Sequence, residues 1–155
     1  METYNTVGIG FGPSNISLAI ALEERGSTGQ SSGHVFFDTR IEPDWHPGLM
    51  YPESTMQISF LKDLITMVNP KSRYTFLNYL QTKGRIHEFI NLRSFYPRRT
   101  EFEDYVKWCA KELGPFAEFN TRVCDIHITD IDNIERSDLT VTCPGSAPMG
   151  PNSMI

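Results

Sequence analysis

The sequence has little that would tie it to nucleic acid, to a membrane or to a metal. Its 155 residues carry 19 acidic side chains against 14 basic ones, a net charge of −5. No long Lys/Arg run interrupts that balance, so the basic surface that phosphate backbones require is missing. No apolar run reaches the ~18 residues of a membrane-spanning helix. The N-terminus lacks a basic stretch followed by an apolar run and a cleavage site, so the expected location is cytoplasmic. The three cysteines, Cys109, Cys124 and Cys143, are widely spaced with no CxxC pair, which argues against a zinc site or a redox dithiol. They read as reduced, buried thiols. His34, His46, His87 and His127 are scattered without metal-ligand spacing. No internal repeat is visible. What remains is ordinary globular composition, long enough to bury one core.

The segments that are present follow a clear order. "NTVGIG" (5–10) reads as a strand entering a glycine turn. "PSNISLAIALEER" (13–25) reads as a helix, apolar nearly all round and therefore buried, with Gly26 as its stop. "STGQSSG" (27–33) reads as a flexible loop, and "HVFF" (34–37) as a second strand ending at Asp38. Strand–turn–helix–strand opens a parallel α/β sheet. The segment 44–64 contains two prolines and no sustained period, the pattern of a ligand-lining loop. A short helix is expected after Pro70, stopped near Gly84. In "TEFEDYVKWCAKELGP" (100–115), Thr100 and Glu103 match a capping box. Phe102, Tyr105, Val106, Cys109 and Leu113 share one helical face, and Gly114-Pro115 end it. The period then changes to two. "VCDIHIT" (123–129) and "LTVTC" (139–143) predict antiparallel strands joined by a polar turn, "DIDNIERSD". Residues 144–155 have three prolines and no period, and read as a disordered tail.

The glycine turn carries the first chemical signal. A strand that ends in GxGxxG and opens a helix cradles a dinucleotide: glycines allow the tight turn and close approach of the pyrophosphate, and the helix supplies unpaired N–H groups. Gly8 and Gly10 fill the first two positions. Pro13 stands at the third, preceded by an extra Gly12 and followed by Ser14. Proline suits a first helical turn, where its missing N–H costs little. A glycine-rich structural turn is the plainer alternative. Asp38, 26 residues past Gly12, stands where an acidic residue would bind ribose hydroxyls; a strand-end turn residue is the alternative. An acidic ribose partner suits FAD or NAD rather than NADP.

Longer stretches add a family resemblance. "GIGFGPSNISLAIALEE", "WHPGLM", "MQISFLKDL", "FLNYL" and "GRIHEFINLRSFYPRRTEFEDYVKW" occur in order between about residues 6 and 128. Together they resemble the flavin-dependent N-hydroxylating monooxygenases of siderophore biosynthesis. The "GFGPSN" form is more like the ornithine hydroxylases than the lysine or diamine ones. The resemblance implies an α/β fold: a partial Rossmann-like FAD-binding domain, a parallel sheet with helices, with a late antiparallel β excursion. It implies FAD, NADPH and molecular oxygen acting on the side-chain amine of L-ornithine or a similar amine. It further implies that Asp38, Thr39, Arg40, Ile41, Glu42, Pro43, Asp44, Trp45 and His46 line FAD. Gln57 lies against the flavin, Lys62 holds the substrate carboxylate, and Val123 touches the adenine end. The family more often has glutamate where Asp38 stands.

Several of these residues have plainer readings. Lys62 is a cation in an apolar stretch, which calls for a partner if buried; a salt bridge to Asp63, or simple exposure, would also account for it. Gln57 within an apolar run would be satisfied by a flavin edge or by backbone. Trp45-His46 fits a plain turn as well. Arg98-Arg99 reads as a solvated helix entry, with flavin phosphates as the alternative.

The family resemblance also sets an expected domain layout. Residues 1–143 form the N-terminal part of an FAD-binding domain, 144–155 a tail, and an NADPH-binding unit is not expected. The chain alone is then expected not to turn over. Competing readings are a lysine or diamine hydroxylase, a non-catalytic FAD-binding fragment or partner-dependent subunit, and an inert remnant. Self-association is expected from an unpaired sheet edge.

Overall fold

The computed structural model describes residues 4–45, 48, 50–133 and 136–142. Thr6–Ile9 forms β1, Pro13–Glu24 forms α1 and His34–Phe37 forms β2. β1 and β2 pair in parallel, Thr6 opposite His34 through Ile9 opposite Phe37. A short strand, β3 (Ala117–Glu118), adds in parallel to the far side of β2, giving the order β1-β2-β3. β2 is therefore central, and Val35, Phe36 and Phe37 are buried. Gly8 has a packing reason to be glycine: a Cβ there would stand 2.1 Å from the Phe36 ring.

Three helices build the core between β2 and β3. α2 spans Phe76–Thr82, α3 Ile86–Asn91 and α4 Arg99–Glu112. α4 buries Phe102, Tyr105, Val106, Cys109 and Ala110, the face its spacing predicts plus one alanine. Phe76 is the hub of an aromatic cluster. Its ring lies 5.3 Å from Tyr105, 5.4 Å from Phe89 and 5.7 Å from Tyr79, centroid to centroid. Edge-to-face and tilted pairs of this kind add attraction beyond the area they bury.

Several expectations are corrected here. The capping box does not form. α4 starts at Arg99, because Arg99 N–H donates to the Ser54 carbonyl (2.9 Å) and Arg98 forms a bridge with Thr55; Glu103 accepts instead from Lys107 Nζ at 2.8 Å. The expected helix after Pro70 starts only at Phe76, capped by Thr75, and stops before Gly84, whose φ is +71°. α3, too short to show a period, is additional. α1 is not buried all round: Ile16, Ala19 and Ile20 are buried while Leu18 is 43% exposed. The 27–33 loop is built rather than loose. It contains a 3₁₀ turn at Gly29–Ser32 pinned by its own serines, and Gly29 passes so close to Pro115 that a Cβ would meet its carbonyl oxygen at 2.4 Å. Cys109 is buried, but Cys124 is exposed. Cys143 lies outside the described residues.

The late strands are β4 (Asp125–Asn133) and β5 (Arg136–Thr142), antiparallel with Asp125 opposite Thr142. Both reach into the segment read as a polar turn, with register shifts between Ile128 and Asn133. β4 starts after Val123, so Val123 precedes the strand instead of lying in it. The tail at 144–155 lies outside the described residues.

Candidate functional site

The turn between β1 and α1 is held by its own chain. Gly10 takes φ +83°, a left-handed conformation that glycine enters without strain. Its N–H donates to the Phe37 carbonyl at 2.7 Å. Asn15 Nδ2 donates back to the carbonyl oxygens of Gly10 (2.7 Å) and Ile9 (3.2 Å). Gly12 is the N-cap of α1 and Pro13 its first residue. Ile16 N–H makes the first helical bond, to Gly12, at 2.9 Å. Proline has no N–H, and the amides of Ser14 and Asn15 find no acceptor among the described residues. A twelve-residue helix thus opens with free donors and the positive end of its dipole toward the turn, an arrangement suited to an anion such as a pyrophosphate.

Asp38 closes the other side of this turn. It is buried, and its Oδ2 accepts from Phe11 N–H at 2.6 Å. Arg40 donates to the same carboxylate three times: N–H and Nε to Oδ1, each at 2.9 Å, and Nη2 to Oδ2 at 2.5 Å. Burial pushes the Asp38 carboxyl up, but the Arg40 side chain, Phe11 N–H and Arg40 N–H outweigh it and hold it below its ordinary value. The strand-end acid and the glycine turn are brought together as the spacing predicts. The self-made pairing of Asp38 with Arg40 is what the spacing does not show.

The following segment is fastened in place at several points. Arg40 Nη1 donates to the Asp44 carbonyl. Asp44 faces Lys107 at 3.6 Å, and Lys107 is itself paired with Glu103. Trp45 packs on Phe102 with ring centroids 5.4 Å apart. Thr39, Ile41 and Glu42 are exposed and Pro43 is half-buried. His46 lies outside the described residues. From the other side, Thr121 N–H donates to the Asp38 carbonyl (2.9 Å) and Asn120 N–H to that of Arg40 (2.8 Å). This lays the residues just before Val123 along the same edge, and Val123 is half-buried.

Gln57 and Lys62 are not where burial arguments put them. Gln57 is exposed, on a strip whose neighbours pair with the 95–99 segment: Met56 N–H donates to Pro97 (2.8 Å) and Phe60 N–H to Phe95 (2.9 Å). Lys62 is exposed at the end of a 3₁₀ turn, Phe60–Lys62, and makes no ion pair among the described residues. Asp63 is not its partner, because that carboxylate accepts from Ile65 and Thr66 N–H, Thr66 Oγ1 and Phe76 N–H. The strip still reaches the cradle's helix, since Ser17 Oγ donates to the Leu64 carbonyl at 2.6 Å. Ser17 and Asn15 give no sequence signal beyond their place in the first turns of α1. Arg98 is exposed and Arg99 half-buried, as a helix entry requires. Among the described residues no helix is long and apolar enough to cross a membrane, and no group of three potential ligands could hold a metal ion.

Known proteins resemble this chain in sequence and in fold. The L-ornithine N(5)-monooxygenase of Burkholderia cepacia is 46% identical over 123 residues, covering 79% of this chain and 28% of its own length. The ornithine N-hydroxylase of Kutzneria sp. 744, described with reduced FAD, NADP+ and L-ornithine, superposes with a TM-score of 0.82 at 37% identity. That match covers 94% of this chain and 34% of the other. The reduced ornithine hydroxylase PvdA of Pseudomonas aeruginosa gives a TM-score of 0.80 at 39% identity, over 92% of this chain and 34% of its own. The chain thus spans about a third or less of each of these proteins. The family description "L-lysine 6-monooxygenase/L-ornithine 5-monooxygenase" matches residues 2–147. With nearly its whole length inside that match, the chain belongs to the L-lysine 6-monooxygenase/L-ornithine 5-monooxygenase family.

Proposed function

We propose that this chain is the FAD-binding part of an enzyme that hydroxylates the side-chain amine of L-ornithine, using NADPH and molecular oxygen, for hydroxamate siderophore synthesis. The observation that carries the reading is the cradle: a left-handed Gly10, two free first-turn amides on α1, and a buried carboxylate hydrogen-bonded to the intervening Phe11. The amides of Ser14 and Asn15 hold the pyrophosphate charge. Gly10 and Gly12, with open space where a Cβ would stand, and Pro13 let it approach, Gly8 lets β1 pack on Phe36 beneath the turn, and Asp38 faces the adenosine ribose. The 39–46 segment and Val123 line the adenosine half, and Gln57 lies toward the flavin ring. Bound there, FAD supplies the redox chemistry that activates oxygen for transfer to the amine. Lys62 would hold the ornithine carboxylate, a reading supported by its exposure and its lack of an ion pair among the described residues. Ornithine is favoured by the higher identity to ornithine enzymes, 46% and 37%, than to the cadaverine monooxygenase of Erwinia amylovora, 32%, and the L-lysine 6-monooxygenase of Pseudomonas syringae, 27%.

For the chain alone we expect weak flavin retention and no sustained ornithine turnover. β1 is paired on one side only among the described residues, so the strand that feeds the cradle lacks, among them, the second neighbour that would brace it. The first test is fluorimetric FAD titration of the purified chain and its Gly10→Val variant. A branched side chain at φ +83° is strained and blocks the pyrophosphate's approach, so binding is abolished. Equal affinity in the two proteins defeats the cradle reading. The second test concerns Lys62. In a chimera joining residues 1–142 to the remainder of the Burkholderia cepacia relative, Lys62→Ala raises the ornithine KM about tenfold, the worth of one charge-assisted hydrogen bond. FAD content and thermal stability stay unchanged. Loss of stability in step with affinity would assign Lys62 to the fold instead.

A further inference from the structure

Asp38 is more fully engaged than a hydroxyl-reading carboxylate needs to be. A carboxylate offers about four acceptor positions, and all are filled from within the chain. Two of the donors are backbone amides, Phe11 N–H and Arg40 N–H. They are fixed by the glycine turn and by the β2 end, which Thr121 and Asn120 brace. The other two, Nε and Nη2, belong to one side chain, that of Arg40. That side chain is 38% exposed where Asp38 is 4%, so it can leave while the amides stay. A guanidinium presents two N–H donors on one planar fork, and a vicinal diol presents two O–H donors on adjacent carbons. Each satisfies a carboxylate in two-pronged fashion.

We propose that the Arg40 side chain is a built-in competitor for the adenosine ribose: it fills the two acceptor positions on Asp38 that a vicinal diol must take, and so tunes the cradle's affinity and selectivity. This rests on the cofactor reading above. Binding then includes displacement of the guanidinium, and apparent affinity is the intrinsic affinity multiplied by the fraction of chains in which Asp38 is already free. Because Arg40 also donates to the Asp44 carbonyl, the same displacement loosens the 40–44 segment. A ligand missing one ribose hydroxyl displaces only one of the two donors and meets a smaller penalty, so the competitor narrows the margin by which an intact diol is preferred.

The test compares the full chain with Arg40→Met and Arg40→Lys in fluorimetric titrations with FAD and with FAD carrying 2′-deoxyadenosine. Methionine keeps the stem and the backbone N–H but has no donor. Arg40→Met should bind FAD roughly two- to fivefold tighter, the range expected from releasing a partly exposed ion pair. Lysine keeps the charge but cannot fork, so Arg40→Lys should fall between it and wild type. The gain should be smaller with the deoxy analogue. Unchanged or weaker FAD binding in a folded Arg40→Met protein overturns the inference. If Arg40→Met does not fold, wild-type affinity in Arg40→Lys overturns it. A gain equal for both flavins also overturns it, because the effect is then independent of the diol. Failure of every protein to bind flavin brings down the cofactor reading and this inference together. Normal binding without a gain brings down the inference alone.

Discussion

Asp38 shows how a single residue can be legible in position and hidden in chemistry. Its place after an apolar strand points to the cradle. Its pairing with Arg40, two residues on, depends on a side-chain orientation that no spacing reveals. The pairing has a pH signature. The folded carboxyl lies below its ordinary value of 3.8 because the Arg40 and Phe11 donors outweigh burial. A lowered folded pKa means stability that is present above about pH 4 and fades as pH falls through the folded value. Urea unfolding between pH 5 and pH 2.5 should therefore show a falling midpoint, with a smaller fall in Asp38→Asn. Identical profiles would mean that other carboxylates carry the acid response. Cys109 shows the converse case: burial pushes its thiol up, so the residue packs and does not react. The roles expected of Lys62 and Gln57 rest on family resemblance. Both are exposed, so the argument that buried polar groups need partners does not apply to them.

Elements were legible in proportion to their length and period. α4 shows its face clearly because fourteen residues allow three apolar turns to register. Its first residue was misjudged, because a tertiary bond from Arg99 to Ser54 fixes the start rather than a local cap. α3, six residues long, offers too few turns for any pattern. The polar residues of 130–138 read as a turn, yet strand pairing with β5 carries on through part of them. The irregular segment before α2 is organised by Asp63, whose carboxylate gathers three backbone amides and a hydroxyl. One of those amides is Phe76 N–H, at the start of α2. Asp63→Ala should destabilise the fold by about 2–3 kcal/mol, since half-buried donors lose their acceptor. A urea midpoint within error of wild type would show that water replaces the carboxylate.

At the scale of the whole molecule, the parallel opening and the apolar face of α4 follow the sequence pattern, while the Phe76 aromatic cluster and the third strand do not. β3 is two residues long and has no recognisable signature. The open side of β1 makes a prediction of its own. Ile9 is 56% exposed on a strand that has no second neighbour among the described residues, a template for pairing with another chain. Sedimentation velocity should show mass rising with concentration, and Ile9→Lys should reduce it. A concentration-independent monomer in both proteins would remove the edge as the cause. β3 also governs the order in which the chain can fold. Phe36 pairs with Ala117, so the pairing closes a loop of about eighty residues that contains all three core helices. The entropy of closing so long a loop must be met before its contacts reward it. β1, α1 and β2 can assemble locally and early, whereas β3 can dock only after the aromatic core has brought its ends together. During synthesis the Asp38 side of the glycine turn therefore stays unbraced until Asn120 and Thr121 have emerged, and under the proposed function cofactor capture would wait on the last part of the core to form.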